Sequence, residues 1–152
     1  MAQDTMSARI YLPPAADAQI RAHAAETYPY ECCGALLGRE LDRCREVLAP
    51  FPLINRRDDS PRNRFSVTSD DVRAAEKAAR AGGCEVIGWY HSHPDHPSRP
   101  SEFDRQHAWP WYSYIIVSVA EGTPKEMNSW RLSDDRVQFS LEEIEVKLQA
   151  SA

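Results

Sequence analysis

What this chain lacks narrows it first. No run of apolar residues approaches the ~20 that a helix needs to cross a bilayer, so no membrane-spanning helix is expected. The start, Met1-Ala2-Gln3-Asp4-Thr5, has neither a basic segment nor an apolar stretch. It does not read as a signal peptide, and a cytoplasmic location is the expectation. Cysteine is scarce: Cys32, Cys33, Cys44 and Cys84 are all there are, and no two are spaced as Cys-x-x-Cys. A cysteine-built zinc site is therefore not expected, and in a reducing compartment the four read as packing residues, not disulfides. Adjacent Cys32 and Cys33 alternate faces on an extended chain, so at most one is expected to point inward. Positive charge is not in excess, the formal net charge being −5. That balance argues against unspecific nucleic-acid binding, which needs a positive surface. Internal repeats and low-complexity tracts are missing too.

What is present is an ordinary globular composition, 42% hydrophobic and 27% charged, on 152 residues. That length suits one domain with its own core, spanning residues 1–152. Ala8 to Leu12 alternates and stops at Pro13-Pro14, which predicts a short strand. A helix is predicted from Pro14, since proline suits a first turn, to about Thr27, before Tyr28-Pro29. His23 within it has no ligand partner at a suitable spacing. Tyr30 to Gly38 holds an apolar run and predicts a buried strand, with Cys44 to Ala49 as its antiparallel partner across a turn at Arg39 to Asp42. Asn55 to Arg64 carries four arginines, two aspartates and a proline and reads as an exposed loop, either simply solvated or gripping a partner. Phe65-Ser66-Val67 predicts a short strand. Thr68 and Asp71 are spaced as a capping box for a helix from Asp70 to Ala81, stopped by Gly82-Gly83, with Val72, Ala75 and Ala79 toward the core. Cys84 to Tyr90 and Tyr112 to Val119 predict buried strands. Met127 to Leu132 and Arg136 to Phe139 predict a closing hairpin, and Leu141 to Leu148 fits a strand or a short helix. This order implies one α/β domain, a mixed β-sheet flanked by helices.

The strand at Cys84 runs into Tyr90-His91-Ser92-His93-Pro94, and a proline-rich loop leads on to Ser101-Glu102-Phe103-Asp104. Residues i and i+2 of a strand share a face, so His91 and His93 can aim at one point. Two imidazoles and a carboxylate, here from Asp104, form the ligand set of a catalytic zinc that keeps one position open. The same spacing also fits surface histidines beside a helix whose start is capped by Ser101 and Asp104. His107, one turn past Asp104, is a conceivable fourth ligand or a helix-surface residue. Asp95 and His96 are either site residues or a polar loop tip.

The pattern His91-x-His93, seven residues, Ser101-x-x-Asp104 resembles the metal motif of the JAMM/MPN+ metalloproteases. Upstream, Glu31-Cys32-Cys33-Gly34-Ala35-Leu36-Leu37-Gly38 matches that family's glutamate segment in kind and order. The resemblance covers roughly Ile10 to Gln138. It implies a cytidine-deaminase-like sheet with Zn²⁺ at one edge, held by His91, His93 and Asp104. It makes Glu31 the proton carrier and Ser101 the donor to a developing oxyanion. It also implies a substrate, a ubiquitin-fold protein cut after its C-terminal Gly-Gly. The short chain resembles the stand-alone prokaryotic type, which implies a small sulfur-carrier protein as that partner. Neither nucleic acid nor membrane is expected as a partner, and the oligomeric state is unknown from sequence.

Three rivals keep part of this pattern. The loop also resembles the RadC family, linked by name to DNA repair, but the upstream Glu31-x-Cys33-Gly34, the missing helix-hairpin-helix segment and the acidic balance oppose it. A non-catalytic MPN scaffold would have lost ligands that are present here. A zinc deaminase would need His-x-Glu followed by Pro-Cys-x-x-Cys.

Overall fold

The computed structural model describes residues 9–55 and 67–148. The strands are β1 (Arg9–Leu12), β2 (Cys33–Leu41), β3 (Cys44–Leu53), β4 (Glu85–Pro94), β5 (Ser113–Ala120), β6 (Thr123–Leu132) and β7 (Phe139–Val146). The helices are α1 (Pro14–Thr27), α2 (Ser69–Ala81) and α3 (Glu102–His107). The expected strand at Phe65-Ser66 and most of the arginine-rich loop lie outside the described residues.

The sheet is mixed, as the element order implies, but it closes into a barrel in the order β1-β3-β2-β4-β5-β6-β7. Closure, in place of an open sheet between helix layers, is set at the chain's two ends. β1 pairs in parallel with β3 on one side and with β7 on the other. The segment that fitted strand or helix is strand β7, and it removes the exposed edge an open sheet would leave.

The hydrophobic pattern explains the layering. Ala16, Ile20 and Ala24 of α1 pack with Ile10, Leu36, Val47, Ile87, Tyr90, Ile115 and Val117. On the opposite face of β2, Ala35 and Leu37 pack with Val86 under Ala75 and Ala79 of α2. β2 is thus covered on both sides. Cys32 and Cys33 are consequently both buried, which corrects the expectation that only one could point inward. The alternation holds, but there is no solvated face for the second thiol. All four cysteines are free.

Local signals hold where backbone chemistry dictates them. Thr68 and Asp71 form both halves of the capping box of α2, and Gly83 beyond it takes φ +75°. The first half of β6 has no apolar alternation, and only pairing with β5 through the turn at Glu121-Gly122 reveals it. No helix among the described residues is long and apolar enough to cross a membrane.

β4 and β5 lie side by side in parallel, joined by the crossover that contains α3, and Gly88 stands opposite Ser113. A Cβ at Gly88 would lie 2.1 Å from the Ser113 carbonyl oxygen, and backbone on a central strand cannot yield. Gly88→Ala is expected to cost at least the upper end of the ~1–3 kcal/mol typical of overpacking. Chemical denaturation of the two proteins would show it as a lowered midpoint; an unchanged midpoint would mean the two strands are not so close.

Candidate metal centre

β4 does not stop at Tyr90; it runs on to Pro94, so His91 and His93 stand on one strand face. Ser92, between them, points the other way. Its Oγ accepts a hydrogen bond from the Cys32 backbone N–H at 2.8 Å, and its own N–H donates to the Cys32 carbonyl at 3.2 Å. Those two bonds fasten the start of β2 to the histidine segment, and with it the preceding residue, Glu31. The Glu31 carbonyl in turn accepts from Asn55 Nδ2 at 3.1 Å.

Asp104 arrives from the other side of the crossover. Ser101 caps α3: its Oγ accepts from the Asp104 N–H at 3.1 Å, while Asp104 Oδ2 accepts from the Ser101 N–H at 2.9 Å. The capping box and the metal-ligand reading were alternatives in the sequence. The structure forms the capping box, and the cap fixes the carboxylate beside the two imidazoles, so the two readings do not exclude each other. His91 Nε2 and His93 Nε2 are 3.3 Å apart. Asp104 places Oδ1 3.3 Å from His91 Nε2 and Oδ2 3.1 Å from His93 Nε2.

This triangle fits a metal on its chemistry and its size. Zinc bonds of ~2.0–2.1 Å in a tetrahedron give ligand-to-ligand edges of about 3.3 Å. His93 Nδ1 lies 2.8 Å from the Pro97 carbonyl oxygen, which only accepts, so the Nδ1 proton is committed there. The His93 Nε2 lone pair then faces the Asp104 carboxylate, an arrangement that needs a cation or an added proton to hold it together. Among the described residues, His91, His93 and Asp104 are the group of ligand atoms close enough to hold an ion.

Electrostatics separate the two carboxylates. Burial opposes ionisation of Asp104, but the charges and hydrogen bonds of His91 and His93 outweigh it and hold that carboxyl well below the usual range. Glu31 is buried, and its Oε1 has no hydrogen-bond partner among the described residues. Burial first, and the Asp104 charge second, push Glu31 up to about 9. Such a separation of two neighbouring acids is common where one must move protons.

Two clefts meet at the triangle. One, of about 480 Å³, is walled by Trp89, Phe103, Tyr112 and Tyr114 and reaches His91 and Asp104. The other, of about 630 Å³, is lined by Glu31, His93, His96, Arg99, Ser101 and Glu102 together with Pro97, Pro100 and Phe103. The early glutamate therefore shares a cleft with His93 and Ser101. His107 does not join the triangle. It is exposed, stacked 4.1 Å from the Phe103 ring, with Nδ1 2.9 Å from the Phe103 carbonyl oxygen. Asp95 accepts from Tyr28 Oη at 2.7 Å and from the Glu121 N–H at 2.9 Å, and so anchors the loop. His96 is exposed at the second cleft. His23 Nδ1 lies 2.7 Å from Tyr90 Oη, and His23 is not one of the converging ligands. The sequence reading missed Ser92, the Pro97 carbonyl and the aromatic cleft. Only the density of aromatics from Trp109 to Tyr114 hinted at the last.

The pattern that defines the prokaryotic homologs of the JAB domain matches residues 13–133. A protein of Haloferax volcanii named desampylase is 34% identical over 117 residues, covering 74% of this chain and 82% of its own length. Tail tip assembly protein K of Escherichia phage N15 is 36% identical over 107 residues, 68% of this chain; the chain spans only 38% of that relative. Among solved structures, a protein from Desulfitobacterium hafniense superposes with TM-score 0.81 at 34% identity, covering 93% of this chain and 95% of its own. One from Salinibacter ruber does so with TM-score 0.72 at 43% identity, covering 93% of each chain.

Proposed function

Because the chain belongs to the family of prokaryotic homologs of the JAB domain, we propose that it is a zinc-dependent peptidase or isopeptidase. Its substrate is a ubiquitin-like protein, cut at the amide bond after a C-terminal Gly-Gly, and a prokaryotic sulfur-carrier protein fits best. One observation carries this reading: a ligand triangle of zinc size that shares its surroundings with a buried carboxyl, Glu31, whose Oε1 has no hydrogen-bond partner among the described residues. The 34% identity to a desampylase supports the substrate class.

His91, His93 and Asp104 would hold the ion. When bound there, zinc would supply Lewis acidity and would lower the pKa of water to about 7, making a nucleophile available at neutral pH. Glu31 takes the proton from the attacking water and returns it to the leaving amine. Its isolation suits that traffic, since no competing hydrogen bond ties Oε1 down. Ser101 Oγ already accepts from the Asp104 N–H, which leaves its own proton to donate to the developing oxyanion. A slender Gly-Gly tail is the kind of chain that can enter a cleft bounded by strand backbone.

The test is metal analysis of the purified chain, with cleavage of a panel of ubiquitin-fold carriers bearing extensions after Gly-Gly. Stoichiometric zinc with cleavage after the second glycine is expected. Zinc with no cleavage of any carrier would refute the substrate class, and absence of bound zinc would refute the centre. Ser101→Ala is expected to lower turnover by about 10²-fold, as for loss of one oxyanion donor, with zinc retained. Unchanged turnover would leave Ser101 as a cap and nothing more.

A further inference from the structure

The segment from His96 to Ser101 contains no helix or strand, yet its backbone is braced at nearly every step. The His96 carbonyl accepts from Ser118 Oγ at 2.6 Å, and the Pro97 carbonyl oxygen lies 2.8 Å from His93 Nδ1. Ser98 is buried. Its Oγ accepts from Asn128 Nδ2 at 2.7 Å and its carbonyl from Trp130 Nε1 at 2.9 Å. Ser101 is locked in the capping box of α3. Pro100 adds a restraint of its own, because the residue before a proline is confined to extended backbone. That residue is Arg99. Its backbone is fixed from both sides, and its side chain is exposed.

Arg99 lines the second cleft, together with Glu31, His93 and Ser101. Among the described residues it makes no hydrogen bond and no ion pair. The acid nearest to it in the chain is committed elsewhere. Arg105 Nε donates to Glu102 Oε1 at 2.9 Å, Gln106 Nε2 donates to Oε2 at 3.2 Å, and Arg105 closes the ion pair through Nη2. Glu31 lines the same cleft but lies outside ion-pair distance of Arg99. A cation on a braced backbone, open to solvent and without a counter-ion, is thus presented to the cleft that holds the proton carrier. Less freedom is lost when such a group binds than when a whole loop must be ordered.

We propose that Arg99 pairs with the α-carboxylate of a single amino acid that follows Gly-Gly, so that the chain trims the C-terminus of its substrate and does not cut isopeptides. The inference rests on the peptidase reading above. Glu31 lines this cleft and not the aromatic one, and on that reading it returns the proton to the leaving amine, so the leaving group lies on the Arg99 side. In a C-terminal residue only the α-carbon separates the scissile nitrogen from a carboxylate. A guanidinium beside the leaving amine meets those two coplanar oxygens with paired donors. In an isopeptide the leaving nitrogen ends the methylene stem of a lysine, and no anion stands beside it. The hydrolysis balances without further reactants. The oxygen of water bonds to the glycine carbonyl carbon, the C–N bond breaks, and the proton taken by Glu31 goes to the amine. The products are a glycine carboxylate and a free amino acid. Arg99 stays protonated throughout and selects the leaving group by its charge.

Three substrates made from one ubiquitin-fold carrier test this with the zinc-loaded full chain. The first ends in Gly-Gly-Ala with a free carboxylate, and the second is the same with a C-terminal amide. In the third, Gly-Gly is joined to the lysine Nε of a peptide blocked at both ends. The free acid is expected to be cut with kcat/KM about tenfold above the amide, the low end of what a charged hydrogen bond provides, because Arg99 is solvent-exposed. The isopeptide should be cut more slowly than the free acid. Arg99→Ala should bring the ratio of acid to amide close to one with zinc content unchanged. Arg99→Lys, which keeps the charge without the paired donors, should restore part of the ratio. Equal rates for acid and amide in the wild type would overturn the proposal and leave the peptidase reading standing. An undiminished ratio in Arg99→Ala, or faster cleavage of the isopeptide than of the free acid, would do the same. Cleavage of none of the three would refute the peptidase reading, and this inference with it.

Discussion

Glu31→Gln is expected to lower hydrolysis by about 10²–10⁴-fold, the usual worth of a positioned acid–base group, while zinc content stays unchanged. Glutamine has nearly the same shape and fits the same buried place, and Glu31 is not one of the three converging ligands. Glutamine, however, cannot carry a proton from water to an amine. The same substitution has a second, opposite effect on the metal-free protein. The Glu31 pKa is raised from 4.5 to about 9 in the folded chain. A group raised on folding contributes stability that is complete below its unfolded pKa and is lost as pH rises through its folded pKa. Metal-free wild type should therefore lose stability between about pH 4.5 and 9, at up to ~1.4 kcal/mol per pH unit. In that range Glu31→Gln should show a flat profile and a higher melting temperature at pH 8. Thermal melts of the two metal-free proteins across pH 5–9 measure this directly. Parallel profiles would mean that Glu31 is not held in an apolar place, and full activity in the variant would remove it from the chemistry.

That trade of stability for a displaced pKa explains which parts of this molecule could be read from sequence. The convergence of His91, His93 and Asp104 was legible because these residues are of types that chemistry restricts: two imidazoles at strand spacing, and a carboxylate fixed by a capping box. Helix α1 was legible at both ends because Pro14 and Tyr28-Pro29 act on the backbone locally. Barrel closure was not legible, since it depends on β1 finding β7 more than 130 residues away along the chain. The burial of both Cys32 and Cys33 follows from that non-local packing. Glu31 shows the same divide. Its type and its place before an apolar strand mark it, but its isolation depends on Ser92 tying the two strands together. Arg45 is buried, and nothing in its place between Cys44 and Glu46 singles it out. Only the closed barrel turns it inward.

Asp104→Asn separates the helix cap that this side chain makes from the metal-ligand role proposed for it. Asparagine keeps an oxygen that can accept from the Ser101 N–H, so the cap of α3 should survive, with a change in stability within the ~1 kcal/mol that a cap is worth. What it loses is the charge. Two imidazoles and a neutral amide form a poorer site for a dication than two imidazoles and a carboxylate. Outer residues that only orient ligands cost about 10–100-fold in metal affinity when changed, so a direct ligand should cost at least the upper end of that range. Hydrolysis should fall with metal occupancy and recover in part when zinc is raised. The pH profile of the metal-free protein supplies an independent check. Asp104 is held below its ordinary 3.8 by the two histidines. Its contribution is therefore present above that pH and lost on acidification, a window separate from that of Glu31. Asp104→Asn should abolish the acid-side loss and leave the alkaline-side loss in place. Zinc titration by calorimetry and acid melts decide the matter together. Undiminished zinc affinity would show that the carboxylate serves the helix cap and not the ion, and the three-ligand centre would have to be abandoned.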